Sequence, residues 1–224
     1  MNLKSIVENP LLIEKRRMQL TLAGINVFSR LGFHKATVKD VATEAGVSVG
    51  LVYQYVSDKQ DLLFLALNYI IRRHQEEIPS ALAGLEDPLV RLHAATDSYS
   101  RINASNQAVV VLTYRETKSL KPEFIKKLKQ LEIETNRLIE GCIQECLDAS
   151  FLVPTKPELL AYRFVIAAQS WSLKNWQLAK IVTLDEYIEH AIHACWVALL
   201  SQKGRRRIAK LQSDGFLKGL APIA

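Results

Sequence analysis

An all-α chain is predicted by three features of this 224-residue sequence. Apolar residues recur at spacings of three and four through most of its length. No segment from residue 80 onward alternates with strand period over a useful length, and the run 108 to 112, though β-branched, is short and flanked by helical patterns. Residues 37 to 62 read as two short helices joined by a glycine turn, followed directly by the start of a third.

Each element has its own signals. Residues 14 to 31 form an amphipathic helix with Met18, Leu22, Ile25, Phe28 and Leu31 on one face, Gly32 as its C-cap and Phe33 as the apolar contact that follows. Thr37 caps the second helix, and Asp40 three residues on suits both the free backbone N–H groups and the helix dipole. Val38, Val41, Ala42 and Ala45 supply its stripe, Gly46 ends it in a left-handed conformation, and Val47 tucks beneath the turn. Ser48 caps a third helix over about 49 to 55. Ser57 with Gln60 forms a capping box for a fourth, which Pro79 stops near residue 78.

Beyond it, Pro88 opens a helix to about Arg101, Ser105 caps one to Ser119, and Pro122 starts a long one to about Leu147. After a break at 150 to 154, Thr155 with Glu158 and Thr183 with Glu186 cap two further helices, to about Ala179 and Ser201. The resulting division is a three-helix helix-turn-helix domain over 1 to 57 with helix 58 to 78 as a connecting lever, a helical domain over 79 to 202, and a basic, flexible tail over 203 to 224.

Charge follows the same division. Residues 1 to 75 hold ten Lys/Arg and six Asp/Glu (10 − 6 = +4), residues 76 to 201 thirteen and sixteen (13 − 16 = −3), and residues 202 to 224 six and one (6 − 1 = +5). A basic N-terminal module on a mildly acidic body is expected when one module meets a polyanion, although lysines on solvated helix faces would give the same sum. Three cysteines are too few for a disulfide framework, no stretch approaches the ~20 apolar residues of a membrane span, and the first residues lack the pattern of a signal peptide. A cytoplasmic location without membrane contact is therefore expected.

The helix pair at 37 to 55 has the geometry that places its second helix in a DNA major groove. The stretch GFHKATVKDVATEAGVSVGLVYQYVSDKQDLL resembles the DNA-binding domain of the TetR/AcrR family of bacterial one-component regulators, whose pattern is G(F/Y)xxTT followed by (V/I)AxxAGVSxGxxYxxFxxKxxLL. The likeness covers about residues 14 to 78, with Val56 where the family usually has Phe and Leu51 where Thr is common. A smaller Val56 is expected to loosen the packing of the third helix. The resemblance implies that Thr37, Lys39 and Lys59 lie at DNA-contacting positions and that Ser48, Val49, Gly50, Tyr53, Gln54 and Tyr55 form the recognition segment. The chemistry fits: Val49 and Leu51 can meet thymine methyls, Gln54 an adenine edge, and Tyr53, Tyr55 and Lys59 can donate to phosphates, the lesser alternative being that both tyrosines are core aromatics with wet tips.

The resemblance also implies a C-terminal domain that dimerises through its last two long helices and encloses an effector that lowers DNA affinity. AAQSWSLKNWQLAKIVTLDEYI and YRETKSLKPEF look like segments of members regulating acyl-CoA and aromatic or steroid catabolism. An aromatic wall with a buried cation, drawn from Tyr99, Tyr114, Arg115, Trp171 and Lys174, would suit a hydrophobic or acyl-CoA-like anion. Phe164, Trp176, Ile188, Ile192 and Trp196 lie on helices apolar on two sides, which fits either a homodimer interface or a central place in the monomer. Cys142 and Cys146 are expected as buried small residues, and His190 with His193 as surface or interface side chains rather than a metal pair.

No phosphate loop, nucleophile elbow or HExxH pattern occurs, so neither enzyme activity nor a cofactor is expected. The expected function is a dimeric, effector-released repressor binding a double-stranded operator. The rival readings are a DNA-bound protein of the same fold acting through a protein partner, and a helical enzyme or carrier.

Overall fold

The computed structural model describes residues 7 to 216 and is helical throughout, apart from turns and one isolated bridge between Leu152 and Leu200. Residues 1 to 6 and 217 to 224, with them the apolar end of the expected tail, lie outside the described residues. In chain order the helices are α1 (Pro10–Leu31), α2 (Val38–Glu44), α3 (Val49–Tyr55), α4 (Lys59–Leu82), α5 (Pro88–Ser105), α6 (Gln107–Glu116), α7 (Pro122–Asp148), α8 (Pro157–Leu173), α9 (Asn175–Leu178), α10 (Leu184–Tyr187), α11 (Ala194–Val197) and α12 (Gln202–Ser213). A 3₁₀ turn at Thr117–Ser119 follows α6, and a π-helical stretch, Ile188–His193, joins α10 to α11.

Two compact units result, and neither is continuous in sequence. One comprises Met1–Arg72 with Gln107–Gln130, the other Arg73–Asn106 with Leu131–Ala224. Helices α4 and α7 each supply residues to both.

In the first unit α1 starts at Pro10, earlier than the apolar pattern indicates, because the Asn9 side chain accepts from the amides of Leu11 and Leu12 and proline fits the first helical position. Phe28 meets Phe33 edge to face at 5.6 Å, and Phe64 stacks on Phe124 at 4.6 Å. With Val27, Val41, Val52, Leu62 and Leu63 these rings form a core. The fourth helix is not capped as expected. Asp58 Oδ1 accepts from the Asp61 amide, while the Gln60 amide bridges the Ser119 carbonyl and the Lys121 N–H, fixing the start of α7. Pro79 does not end α4 but sits in its last turn, where the lost N–H removes a single ladder bond before Gly84, at φ +75°, turns the chain.

In the second unit α5 packs against α8 and the π stretch. It runs to Ser105, so that residue ends α5 rather than capping α6. Lys156 and not Thr155 precedes α8, which opens on Pro157 and stops at Leu173, with the separate turn α9 after it. The Thr183–Glu186 capping box is present. Arg91 makes a two-pronged bond to Glu145 at 2.7 and 3.1 Å and also donates to the carbonyls of Leu82 and Leu85.

The expected flexible tail is corrected over its first half: α12 is a capped helix that buries Ile208 and Leu211. Its basic residues are partly enlisted for anchoring, Lys203 donating to the Ala149 carbonyl and Arg207 to Asp87. Gly204 permits the approach, since a Cβ there would lie 2.1 Å from the Phe151 carbonyl oxygen.

Burial also governs the titratable residues. Cys142 and Cys146 are buried free thiols, Cys142 pushed up to about 11 and Cys146 higher still by desolvation, so no reactive thiolate forms. His74 and His193 are each lowered to about 3, again chiefly by burial. Between about pH 6.5 and 3 the unfolded chain therefore binds protons that the folded chain refuses, so stability is full above 6.5 and falls as pH falls. The expected slope approaches about 1.4 kcal/mol per pH unit for each histidine. Urea unfolding between pH 7 and 4 checks it, and His74→Phe should remove one histidine's share.

Candidate nucleic-acid interface

The turn between α2 and α3 is built by the residues that signal it. The Thr37 hydroxyl accepts from the Asp40 amide and Asp40 Oδ2 accepts from the Thr37 N–H at 2.8 Å, closing the capping box; the Thr37 hydroxyl donating to Oδ2 at 2.7 Å, and then that N–H, hold the Asp40 carboxyl below its ordinary range. At the other end Gly46 stands at φ +67°, with Val47 N–H donating to the Ala42 carbonyl and Gly46 N–H to that of Thr43. This pair of bonds is the Schellman closure that a left-handed glycine allows. Ser48 Oγ then accepts from the Leu51 amide and starts α3.

Helix α1 secures both short helices from below. Gln19 donates to the Ala45 carbonyl at 2.7 Å, and Arg17 donates twice, at 3.2 and 3.1 Å, to the Tyr55 carbonyl. Free carbonyls at two helix C-termini are thus satisfied, one by a cation that also suits the dipole. Neither Arg17 nor Gln19 carries a motif that would have marked it. Only their polar character on a helix that otherwise buries its face could have.

The outward surface of this assembly carries Thr37, Lys39, Ser48, Val49, Gly50, Tyr53 and Gln54, all exposed, with Leu51 half-buried among them. Lys35, outside the expected contact set, is exposed two residues before the Thr37 cap. A Cβ added at Gly50 would meet only Ser48 Oγ, at 4.0 Å, so internal packing does not require glycine there and the backbone stays approachable.

Two of the expected contact residues are instead structural. Tyr55 is 3% exposed and packs in the core with Val52 and Val56, whereas Tyr53 is 47% exposed. The spacing of Val52, Tyr55 and Val56 carried this signal: three and four residues apart, they form one helix face and leave Tyr53 on the other. Val56 is fully buried and closes α3, its N–H donating to Val52, so it fills the core position with less volume than Phe. Lys59 points its ammonium inward, donating to the carbonyls of Phe33 at 2.8 Å, Ala36 at 2.9 Å and His34 at 3.4 Å, and lies 4.4 Å from the Phe33 ring centre. Its three donors are all engaged, which replaces the expected phosphate contact.

The expected effector and dimer sets are rearranged too. Tyr114 and Arg115 belong to the first unit, Tyr99, Trp171 and Lys174 to the second. No buried cation forms from them: the Arg115 side chain is half-exposed, 3.6 Å from Glu116, and Lys174 is exposed at the end of α8. Tyr99 stacks on His74 at 4.0 Å, and Trp171 leans on Tyr187 while lining an open cleft of about 380 Å³ with Lys180, Thr183 and Glu186. Phe164, Ile188, Ile192 and Trp196 are buried in the second unit, so they are core and not interface. Trp176 is 68% exposed and remains available, as do Leu159, Tyr162 and Ile166 along α8. His193, expected near the surface, is buried. Among the described residues no group of three or more His, Cys, Asp or Glu could hold a metal ion, and no helix is long and apolar enough to cross a membrane.

An exposed second helix on a capped helix-turn-helix, clamped by a supporting first helix, defines a helix-turn-helix DNA-binding protein. Residues 20–66 match the family described as bacterial regulatory proteins, tetR family. The chain is 37% identical over 210 residues to the HTH-type transcriptional regulator HbdR of Aromatoleum sp. (strain CIB), covering 94% of this chain and 92% of that one. The chain belongs to the TetR family, whose members are transcriptional regulators and not enzymes. The same fold occurs in the fatty acid degradation regulator FadR from Bacillus halodurans, with TM-score 0.69 and 17% identity over 85% of this chain and 96% of that one. It also occurs in AibR, solved in complex with isovaleryl coenzyme A and operator DNA, with TM-score 0.64 and 16% identity over 77% and 93%.

The inward Lys59 generates a prediction. Lys59→Met leaves three carbonyls of the α1–α2 turn without their donor, and unfolding in urea should show a loss of about 1–3 kcal/mol. Duplex affinity, measured at a temperature where the variant is folded, should change far less than for substitutions on the outward face.

Proposed function

We propose that the chain is a dimeric repressor whose outward α3 face reads an operator and whose release is controlled by a small hydrophobic or acyl-CoA-like effector bound by the second unit. The observation that carries the DNA part is the exposure of Lys39, Ser48, Val49, Gly50, Tyr53 and Gln54 on one surface, while Tyr55 and the Lys59 ammonium turn inward. Gln54 supplies a side-chain amide suited to an adenine edge, Val49 and Leu51 suit thymine methyls, and Thr37, Lys39 and Tyr53 suit backbone phosphates. The N-terminal module is residues 1 to 57, helix α4 up to about Ile78 is the lever, and residues 79 to 202 form the regulatory body. In this reading an effector changes the set of α4 and so moves the two recognition helices of a dimer off the ~34–36 Å repeat of the major groove.

The effector class draws support from fold neighbours. AibR was solved with an acyl-CoA and operator DNA together, and another neighbour is a fatty acid degradation regulator. The dimer draws support from α8, where Leu159, Tyr162 and Ile166 recur at three and four residues and are all exposed, with Ile166 at 58%. An apolar row of this kind on one helix face is the pattern of a surface covered by a second copy.

Fluorescence anisotropy with duplexes tiling the region upstream of the chain's own gene tests the reading. Gln54→Ala should weaken the best site by about 1–3 kcal/mol and relax the preference at one base pair. Lys39→Ala should weaken all duplexes alike and lower the salt slope by about 1. Wild-type protein that binds every duplex equally, or none, would remove the repressor proposal.

For the dimer, sedimentation should give twice the chain mass for wild type, and Ile166→Glu should give the monomer mass. A monomeric wild type at micromolar concentration would rule the interface out.

A further inference from the structure

The core of the second unit contains a group of polar ring atoms that its fold does not use. His93 on α5, His193 at the end of the π stretch and Trp196 on α11 lie side by side: the two imidazole centres are 4.2 Å apart with planes inclined at 31°, and the indole meets His193 edge to face at 6.2 Å. Trp196 is fully buried and His193 nearly so. Nε2 of His93, both ring nitrogens of His193 and Nε1 of Trp196 are shielded from solvent and have no hydrogen-bond partner among the described residues. A buried donor or acceptor left unsatisfied costs about 1–3 kcal/mol, so four within one cluster is an arrangement that a fold keeps for a reason. The backbone is unusual at the same place, since the π-helical Ile188–His193 widens the helix just where His193 enters the core, and π-helical turns concentrate at functional sites.

We infer that the stacked rings of His93 and His193, with the Trp196 indole, form a binding site inside the second unit for the hydroxyl group of a small neutral aromatic molecule. This rests on the effector reading above and narrows it. A neutral imidazole offers one N–H donor and one bare nitrogen, and an indole offers one donor, which together match a group that both donates and accepts. A carboxylate or phosphate would meet no unpaired cation at this position to offset its desolvation. Burial keeps both histidines uncharged near neutrality, and the nearby Arg101 is already paired with Asp97 and Asp185, at 2.9 and 2.7 Å. The two imidazoles already stack on each other, so a ligand would meet the outer faces and edges of this cluster of rings, which favour a planar ring over an alkyl chain. The other buried histidine of this unit shows the contrast: His74 is also stacked, on Tyr99, but its Nε2 faces the Asn103 amide at 3.3 Å and is partnered.

The test uses the full ¹⁵N-labelled chain with phenol, toluene and benzoate as probes. The chain has three tryptophans, so the indole N–H region is simple and Trp196→Phe assigns the Trp196 signal. Phenol should shift that signal saturably, and toluene and benzoate should not. His193→Phe should weaken phenol binding about tenfold or more, as loss of a buried hydrogen bond requires. His93→Phe provides a second, stack-preserving variant if the first does not fold. A Trp196 signal indifferent to phenol, as when the ring nitrogens hold only ordered water, overturns the inference, and so does phenol binding unchanged in both variants. Anisotropy on the same samples separates this from the effector reading. Saturating phenol that leaves a duplex complex intact keeps the site and removes its role in release, whereas a wild type without duplex binding removes the regulator reading and leaves the phenol result standing.

Discussion

The arrangement of the first unit depends on one ammonium group. Where the chain leaves α1 and turns toward α2, the carbonyls of Phe33, His34 and Ala36 point to a common centre, and no helix ladder can satisfy them. Lys59, the first residue of α4, fills that centre and rests against the Phe33 ring. A turn distant in sequence is thereby tied to the start of the fourth helix. Arg17 and Gln19 do the corresponding work at the C-terminal ends of α3 and α2. With these inward polar groups engaged, Val49, Gly50 and Tyr53 are left on the exposed side of α3, outside the core. The separation is sharpest within a single helix, where Tyr55 closes the core and Tyr53, two residues earlier, faces outward.

Local signals in the sequence were reliable where the chemistry was local. The Thr37–Asp40 and Thr183–Glu186 boxes, the left-handed Gly46 and the Ser48 cap involve residues within five positions of each other, and each forms as its spacing requires. The clearest failure came where a distant partner won. Ser57 and Gln60 have the spacing of a capping box, but Gln60 is drawn to the Ser119 carbonyl and the Lys121 amide, and Asp58 caps α4 instead. Pro79 was expected to end its helix, yet near the C-terminus a missing N–H removes one bond and the last turn survives. The expectation that Lys59 donates to a phosphate rested on the family resemblance, which carries no information on what the side chain reaches in this chain. Only the fold reveals three carbonyls within its reach.

The second unit was the least legible part for a different reason. Helices α8 and α10 to α11 carry large apolar residues on more than one side, and composition alone does not say which side turns inward. Packing of α5 against α8 settles it by burying Leu160, Phe164, Ala168 and Trp171, leaving Leu159, Tyr162 and Ile166 outside. The expected interface set was therefore drawn largely from the wrong face, while the idea that surplus apolar surface exists on α8 matches what is exposed. The same uncertainty of face applied to the tail. Its run of arginines suggested a solvated end, but Gly204 lets α12 approach the Phe151 carbonyl closely, and Ile208 and Leu211 then have a surface to bury against.

Polar satisfaction inside that unit is uneven, and the unevenness carries information. Arg91 is saturated by Glu145 and two carbonyls, Ser172 donates to the Asn103 carbonyl, and His74 has its amide neighbour. A core that resolves so many polar groups has no general difficulty in doing so. Asn136 on α7 is also buried with both side-chain amide atoms unpartnered, while on His93, His193 and Trp196 the unpartnered nitrogens are gathered on three neighbouring rings at the one stretch of π-helix among the described residues. Replacing these rings by Leu or Phe would relieve the desolvation cost without disturbing any hydrogen bond formed within the described chain. The buried bulk of Trp196 and the ring contacts of both histidines serve the core, so it is the ring nitrogens alone that packing does not account for, and a polar group meeting them is the role inferred for them above.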